Sequence, residues 1–335
     1  MFTLQPQIGE ARRKKEAILR NPEYSRSKRT QFTNMLQLES NVNSAIMEIA
    51  SGSTEMGVTK SSTGDVDSPH VLKRNVEDIW KWLLEETEDK ISIDQPNIIA
   101  LAKKFSPMNT NFNYRQDRVH MKGLQYAPPN PLKVPELMDS VEHHISCQDI
   151  NPLERALIAH FHITRIQPFN DGNKRTARMV QNLILHKNDY VPILIKEGER
   201  SFYIDLLESA MIAFKDRTSS LAPGSESCFT PELSQQERQF FSYLVAKEVS
   251  ALDDVKDHLA KNREYLVTMG RQEPGVLYAG KKLIKGFFRK RDLNGRVKLN
   301  QQERYLKIFG DISRDQVETI LDSKPGQYEL KTITD

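Results

Sequence analysis

The 335-residue sequence is long enough for one large domain or two ordinary ones around a real hydrophobic core. With 38% hydrophobic and 28% charged residues and a formal net charge of +3, the composition is globular and excludes a nucleic-acid polycation. Cys147 and Cys228 show neither metal spacing nor a disulfide framework, and Met1 to Arg20 holds no apolar core of signal-peptide length. A soluble, cytoplasmic protein with no membrane segment is therefore expected.

Residues near Ser27 to Ile49 place Phe32, Met35, Leu36, Val42, Ile46 and Ile49 three, four and seven apart, which predicts an amphipathic helix. Ser51 to Ser68, rich in Ser, Gly and Thr, predicts a mobile loop. Val76 to Glu88 reads as a helix whose wide apolar face comes from Ile79, Trp80, Trp82, Leu83 and Leu84; Asp94-Gln95-Pro96 then starts another. Between Phe105 and Pro131 the pattern changes. Asn residues cluster, Val119 and Met121 alternate with polar neighbours, and Pro128-Pro129-Asn130-Pro131 blocks regular structure, so a short strand pair, or flap, is predicted at Arg118 to Gly123.

Four helix-like runs follow, Leu137 to Ile145, Leu153 to Ile166, Lys174 to Leu185 and Phe202 to Phe214, joined by short connections as in a compact bundle. Ser219 to Pro231 is the candidate linker. A charged helix is expected from Gln235 to about Met269, then a mixed tail that can include small strands. The resulting expectation is a mainly α protein: an N-terminal helical segment over 1–70, a helical-bundle core over 71–218, a linker over 219–232 and a smaller α or α+β domain over 233–335.

The densest chemistry lies in Gln167-Pro168-Phe169-Asn170-Asp171-Gly172-Asn173-Lys174-Arg175-Thr176-Ala177-Arg178. Asn170 or Asp171 can cap a helix whose Ala177, Val180, Leu183 and Ile184 face a core. Gly172, lacking a Cβ, lets a ligand approach the backbone. The N–H groups of a helix start form an anion site, and Lys174, Arg175 and Arg178 add three cations where the helix dipole disfavours them unless an anion is bound. Arginines offer bidentate contacts to phosphate. Asp171 suits Mg²⁺, which joins one or two carboxylates to substrate phosphates.

This run resembles the Fic motif, His-x-Phe-x-(Asp/Glu)-Gly-Asn-(Gly/Lys)-Arg-x-x-Arg, at every specified position but the first. Ala159-His160-Phe161 and Arg165-Ile166 precede it as the family's preceding helix does, and the similarity runs from about Phe32 through Phe214. The resemblance implies a Fic-type bundle with a β-hairpin flap, binding ATP and Mg²⁺ and transferring AMP to a Tyr, Thr or Ser hydroxyl of a protein. It implies that Phe169 is a buried anchor and Asp171 the metal ligand. Nucleotide binding would fall to Asn170, Asp171, Gly172, Asn173, Lys174, Arg175, Arg178 and, near the base, Tyr203, which reads equally as a plain core tyrosine. Ser44-Ala45-Ile46-Met47-Glu48-Ile49 resembles the family's inhibitory helix except at Ile49. There Ser44 and Glu48 lie one turn apart and Glu48 would pair with Arg178 in competition with a terminal phosphate; the plainer alternative is a surface charge.

Two departures bear on activity. Gln167 stands where the family has its catalytic histidine, and a carboxamide cannot take a proton near neutral pH. His160 and His162 on the preceding helix read as ordinary helix histidines rather than substitutes. A natural low-activity or binding-only homologue and an engineered inactive protein both fit. Lys174, where many members have glycine, leaves phosphate transfer open beside AMP transfer. A target protein is expected to dock at the flap near Val119 to Gly123 by strand addition, and self-modification and homo-oligomer formation stay open. From Lys281 to Ile308 ten Lys/Arg face two Asp/Glu, with Phe287, Phe288 and Tyr305 interleaved. That pattern is expected to be the solvated face of a small domain, and nucleic acid is not an expected partner.

Overall fold

Short polar residues cap two of the helices of this chain. The computed structural model describes residues 4–50, 69–88, 93–105, 113–121, 123–219, 232–269, 274–300, 302, 304–322 and 328–333. Among them the helices are α1 (Gln5–Arg20), α2 (Arg26–Ala50), α3 (Pro69–Glu86), α4 (Gln95–Lys104), α5 (Val134–Ser146), α6 (Pro152–Ile166), α7 (Asn173–Lys187), α8 (Arg200–Ser219), α9 (Gln235–Lys261), α10 (Pro274–Lys290) and α11 (Arg314–Asp322). The strands are β1 (Arg263–Met269), β2 (Gly295–Asn300), β3 (Tyr305–Gly310) and β4 (Tyr328–Thr332). The Asp94 carboxylate accepts from the Asn97 N–H at 3.0 Å ahead of α4, and the Asn151 amide oxygen accepts from the Leu153 N–H at 2.9 Å ahead of α6. Both helices carry a proline in the first turn, where its missing N–H is harmless. The mainly α architecture is as expected, and no described helix is long and apolar enough to cross a membrane.

The chain forms two compact units, Met1–Arg12 with Met35–Ala251, and Arg13–Asn34 with Leu252–Asp335. In the first, α6 is buried from Leu153 to Ile166 and α7 almost throughout, so they form the central helix pair; α5 packs on α6 and α4 on α7. A helix buried on all sides must answer its polar side chains internally. Phe161, Phe214, Phe240 and Phe241 fill one end of that core, with ring centroids 5.4 to 5.8 Å apart.

The second unit runs β1-α10-β2-β3-α11-β4, and its antiparallel sheet has the order β2-β3-β1-β4. This is the split β-α-β arrangement. Tyr265, Val267, Val297, Leu306, Ile308 and Leu330 point to the α10 and α11 side and form its core with Ile284, Phe288, Val317 and Leu321. Gly310 is fixed by packing: at φ 137° a Cβ would lie 2.4 Å from the Asn294 carbonyl oxygen.

Two expected elements differ. The helix expected to reach Met269 ends at Lys261, because Tyr265 and Val267 alternate with Glu264 and Leu266 at the period of a strand. No hairpin forms among the described residues of the flap: 113–121 and 123–130 run without strand pairing. Two backbone N–H groups there find a side chain instead of a partner strand. Those of Gln125 and Tyr126 both donate to Glu208 of α8, and Pro128, Pro129 and Pro131 have none to offer a ladder. The loop over 51–68 and nearly all of the linker over 219–232 lie outside the described residues.

Candidate functional site

The motif loop spans the end of α6 and the start of α7. Gln167 takes the left-handed conformation, φ 49° and ψ 61°, and its N–H closes α6 on the Ile163 carbonyl. Its side chain is engaged at both ends: Nε2 donates to the Thr164 carbonyl at 2.7 Å, and Oε1 accepts from Asn173 Nδ2 at 3.1 Å. Asn173 faces back into the loop, accepting from the Phe169 N–H at 2.8 Å and donating to the Phe169 carbonyl at 2.7 Å. The Asn173 side chain thus organises the loop, and what it can offer a ligand is its backbone N–H. Phe169 is wholly buried, as an anchor should be.

The cap of α7 is Gly172, with no side-chain hydrogen bond, rather than Asn170 or Asp171. The reason is a competing cation: Asp171 Oδ2 accepts from Arg175 Nη2 at 2.7 Å, one turn on. Gly172 sits at φ 79°, and a Cβ there would meet the Phe105 Cβ at 3.2 Å. Arg175 is buried, its guanidinium 5.2 Å from the Phe105 ring, and its Nε has no hydrogen-bond partner. Lys174 is half-buried and Asn170 exposed. Arg178, also buried, donates from Nε to Ser44 Oγ at 2.7 Å and from Nη2 to the Ser44 carbonyl at 3.2 Å. The helix expected to be inhibitory thus brings Ser44 onto the second motif arginine; the Glu48 side chain lies outside the described residues.

Tyr203 is a core residue rather than a platform for a base. It has no exposed surface, its hydroxyl lies 2.8 Å from His160 Nε2, and its ring packs against Phe240, with the Arg178 guanidinium 6.0 Å away. His160 Nδ1 meets the Gln181 carboxamide oxygen at 2.5 Å, so the ring carries its proton on Nδ1 and Nε2 accepts from the tyrosine. Arg165 Nε donates to His162 Nδ1 at 2.7 Å. Neither histidine can stand in for the missing base. Burial, with Arg178 nearby, pulls His160 down to about 3, and burial with Arg165 holds His162 well below the ordinary imidazole value. Burial likewise lowers His144 to about 4.

These rings predict an acid limit. Above the unfolded-state pKa of about 6.5 both states are neutral and the contribution is complete. As pH falls toward the folded values, the unfolded chain binds protons that the folded one does not, and stability is lost. The urea midpoint should decline steadily between pH 6.5 and 4, and a midpoint flat over that range would contradict neutral burial.

Nothing in the sequence pattern singles out Arg115. Its backbone N–H donates to the Pro168 carbonyl at 2.9 Å, and its side chain donates to the carbonyls of Gln167 at 2.7 Å, Ile166 at 3.3 Å, Pro129 at 2.7 Å and Asp117 at 2.8 Å. One buried guanidinium therefore ties the motif loop to the segment before α5. Burial lowers its pKa, yet a guanidinium stays charged at neutral pH.

Residues 81–185 match the Fic/DOC family. Among curated relatives, protein adenylyltransferase Fic of Drosophila virilis is 28% identical over 137 residues, 39% of this chain and 28% of that protein. The Drosophila mojavensis protein of the same name is 34% identical over 100 residues, 29% of this chain and 20% of that protein. The chain thus spans under a third of their lengths. A Fic domain containing signaling protein from Bacteroides thetaiotaomicron superposes with a TM-score of 0.57 at 20% identity, over 76% of this chain and 97% of that one, a likeness of fold.

Proposed function

We propose that the entrance of α7 holds the polyphosphate of ATP, and that the chain is a Fic-type AMP-transfer scaffold slowed or silenced at Gln167. The observation that carries this reading is the buried Arg175, its Nε without a partner, beside a helix start that no side chain caps. Both are what a bound anion would answer. Arg175 and Arg178 would grip the outer phosphates, with the Gly172–Asn173 backbone and Lys174 beside them. Among the described residues no cluster of three or more His, Cys, Asp or Glu could hold a metal ion. A lone carboxylate fits Mg²⁺ carried in with the nucleotide, with Asp171 as its protein ligand and charge neutralisation as its contribution.

In AMP transfer a target hydroxyl oxygen bonds to the α-phosphorus, the α–β bridging bond breaks, pyrophosphate leaves and the hydroxyl proton needs an acceptor. Gln167 orients rather than accepts, its carboxamide already held by Thr164 and Asn173. The relatives named protein adenylyltransferases support AMP as the group moved and a protein as the target. Docking of that target near Val119 and Gly123 belongs to the same proposal. Ser44 on Arg178 supports an inhibitory role for α2, with Glu48 competing for the same guanidinium.

Calorimetry with ATP and Mg²⁺ tests the site. Glu48→Gly should bind ATP several-fold more tightly than the parent chain, and adding Arg175→Ala should weaken it about 10- to 100-fold. No heat from ATP, ADP or any phosphorylated ligand with Glu48→Gly would sink the reading.

A further inference from the structure

The sheet of the second unit has a face that the nucleotide site does not use. With α10 and α11 on one side, the opposite parity of each strand is left: Arg296 and Lys298 on β2, Tyr305, Lys307 and Phe309 on β3, Lys331 on β4. The register sets Arg296 opposite Phe309 and Lys298 opposite Lys307, so cations and rings share adjacent rows. Phe309 lies among three ammonium groups: Lys307 at 5.0 Å from the ring centroid, Lys298 at 5.9 Å and Lys28 of α2 at 6.0 Å. Among the described residues, two strand acids lie on this face. Glu264 is taken by Lys28 at 2.6 Å and Lys307 at 3.4 Å, and Glu329 by Lys331 at 3.1 Å. Arg296 and Lys298 are exposed beside a cavity of about 350 Å³ that Phe309 and Lys261 also line.

We propose that this face binds single-stranded nucleic acid, with one base on Phe309, a neighbour toward Tyr305, and phosphates on Arg296, Lys298 and Lys307. Any base offers a π face to a ring, and a backbone of evenly spaced anions suits cations set on both sides of it. An acidic peptide would use the cations and leave the rings idle. A duplex keeps its bases stacked away from them. The near-neutral net charge of the whole chain hides this local imbalance, because the acids that balance it lie elsewhere in the sequence.

Fluorescence anisotropy on the full chain, with labelled oligouridylate and oligothymidylate and with polyglutamate as competitor, tests the proposal. An oligonucleotide should bind at low salt, with log K against log salt sloping about −2, since three neutralised phosphates on a single strand contribute about 0.7 each. Phe309→Ala should weaken binding roughly 5- to 100-fold with the slope unchanged. Lys298→Gln should lower the slope by about 0.7. Phe309→Trp should retain affinity, which separates lost stacking from lost folding. A preference between the two oligonucleotides identifies the strand as RNA or DNA. Absence of binding to both overturns the proposal. So does binding that polyglutamate displaces as readily as nucleic acid while Phe309→Ala changes nothing, the mark of a merely basic surface.

Discussion

Gln167→His should raise transfer of labelled AMP from ATP by about 10² to 10⁴, the range a positioned general base contributes. Backbone and neighbours both accommodate the change. Position 167 lies at φ 49°, and histidine is among the non-glycine residues enriched in that region, so the turn ending α6 survives. Asn173 keeps both bonds to Phe169 when the contact to Gln167 is lost, so the loop retains its own closure. An imidazole at this position would supply the proton acceptor that the carboxamide lacks. The measurement pairs the parent and variant with ATP labelled at the α- or the γ-position. Label from the α-position supports AMP transfer, and label from the γ-position would move the assignment to phosphate transfer. If ATP binds both proteins equally and neither label is transferred faster by the variant, loss of a base at 167 is not what limits this chain.

Arg115→Ala should lower stability by on the order of 4 kcal/mol and abolish ATP binding without touching a phosphate-binding residue. Four carbonyl groups lose a charge-assisted donor, those of Gln167 and Ile166 in buried contacts and those of Asp117 and Pro129 in partly buried ones. Each unanswered buried group costs about 1–3 kcal/mol before relaxation or entering water recovers part of it. For a unit of this size the melting temperature should fall by about 10 °C. Arg115→Lys should recover only part of it, since three donors on one ammonium cannot reproduce a planar fork. A variant melting within a degree of the parent would mean that the loop holds itself.

Much of this was legible because helices advertise themselves by period. The runs at Leu137 to Ile145, Leu153 to Ile166 and Lys174 to Leu185 lie within α5, α6 and α7, and Asp94 caps α4 as its Asp-x-Pro start predicts. The motif was readable as a string of residue types. Its internal wiring was not. Arg115 reaches carbonyls 51 and 52 positions away, and a lone arginine in an irregular segment carries no periodic signal. Asp171 reads as a cap until the partner at 175 takes its carboxylate. Tyr203 has an aromatic's identity in either role, and only burial separates a core ring from a ligand platform. The start of β1 was lost because Tyr265 and Val267 follow a strong helix pattern without proline or glycine between. The prolines and alternation of the flap were visible, but a glutamate 82 residues on answers its N–H groups instead of a second strand.

Two serines of α2 meet α7 at matching intervals. Ser44 receives Arg178 at 2.7 Å and Ser40 receives Asn182 at 2.9 Å, four residues apart on each helix and running in opposite senses. The Ser40 hydroxyl in turn donates to the Ile193 carbonyl at 2.8 Å. A greasy seam would let one helix slide by a residue at little penalty, whereas a one-residue slip here swings both hydroxyls about 100° off their rungs. Like a key cut with two teeth, α2 fits at a single depth: it is seated in full or withdrawn, with no half-engaged stop between.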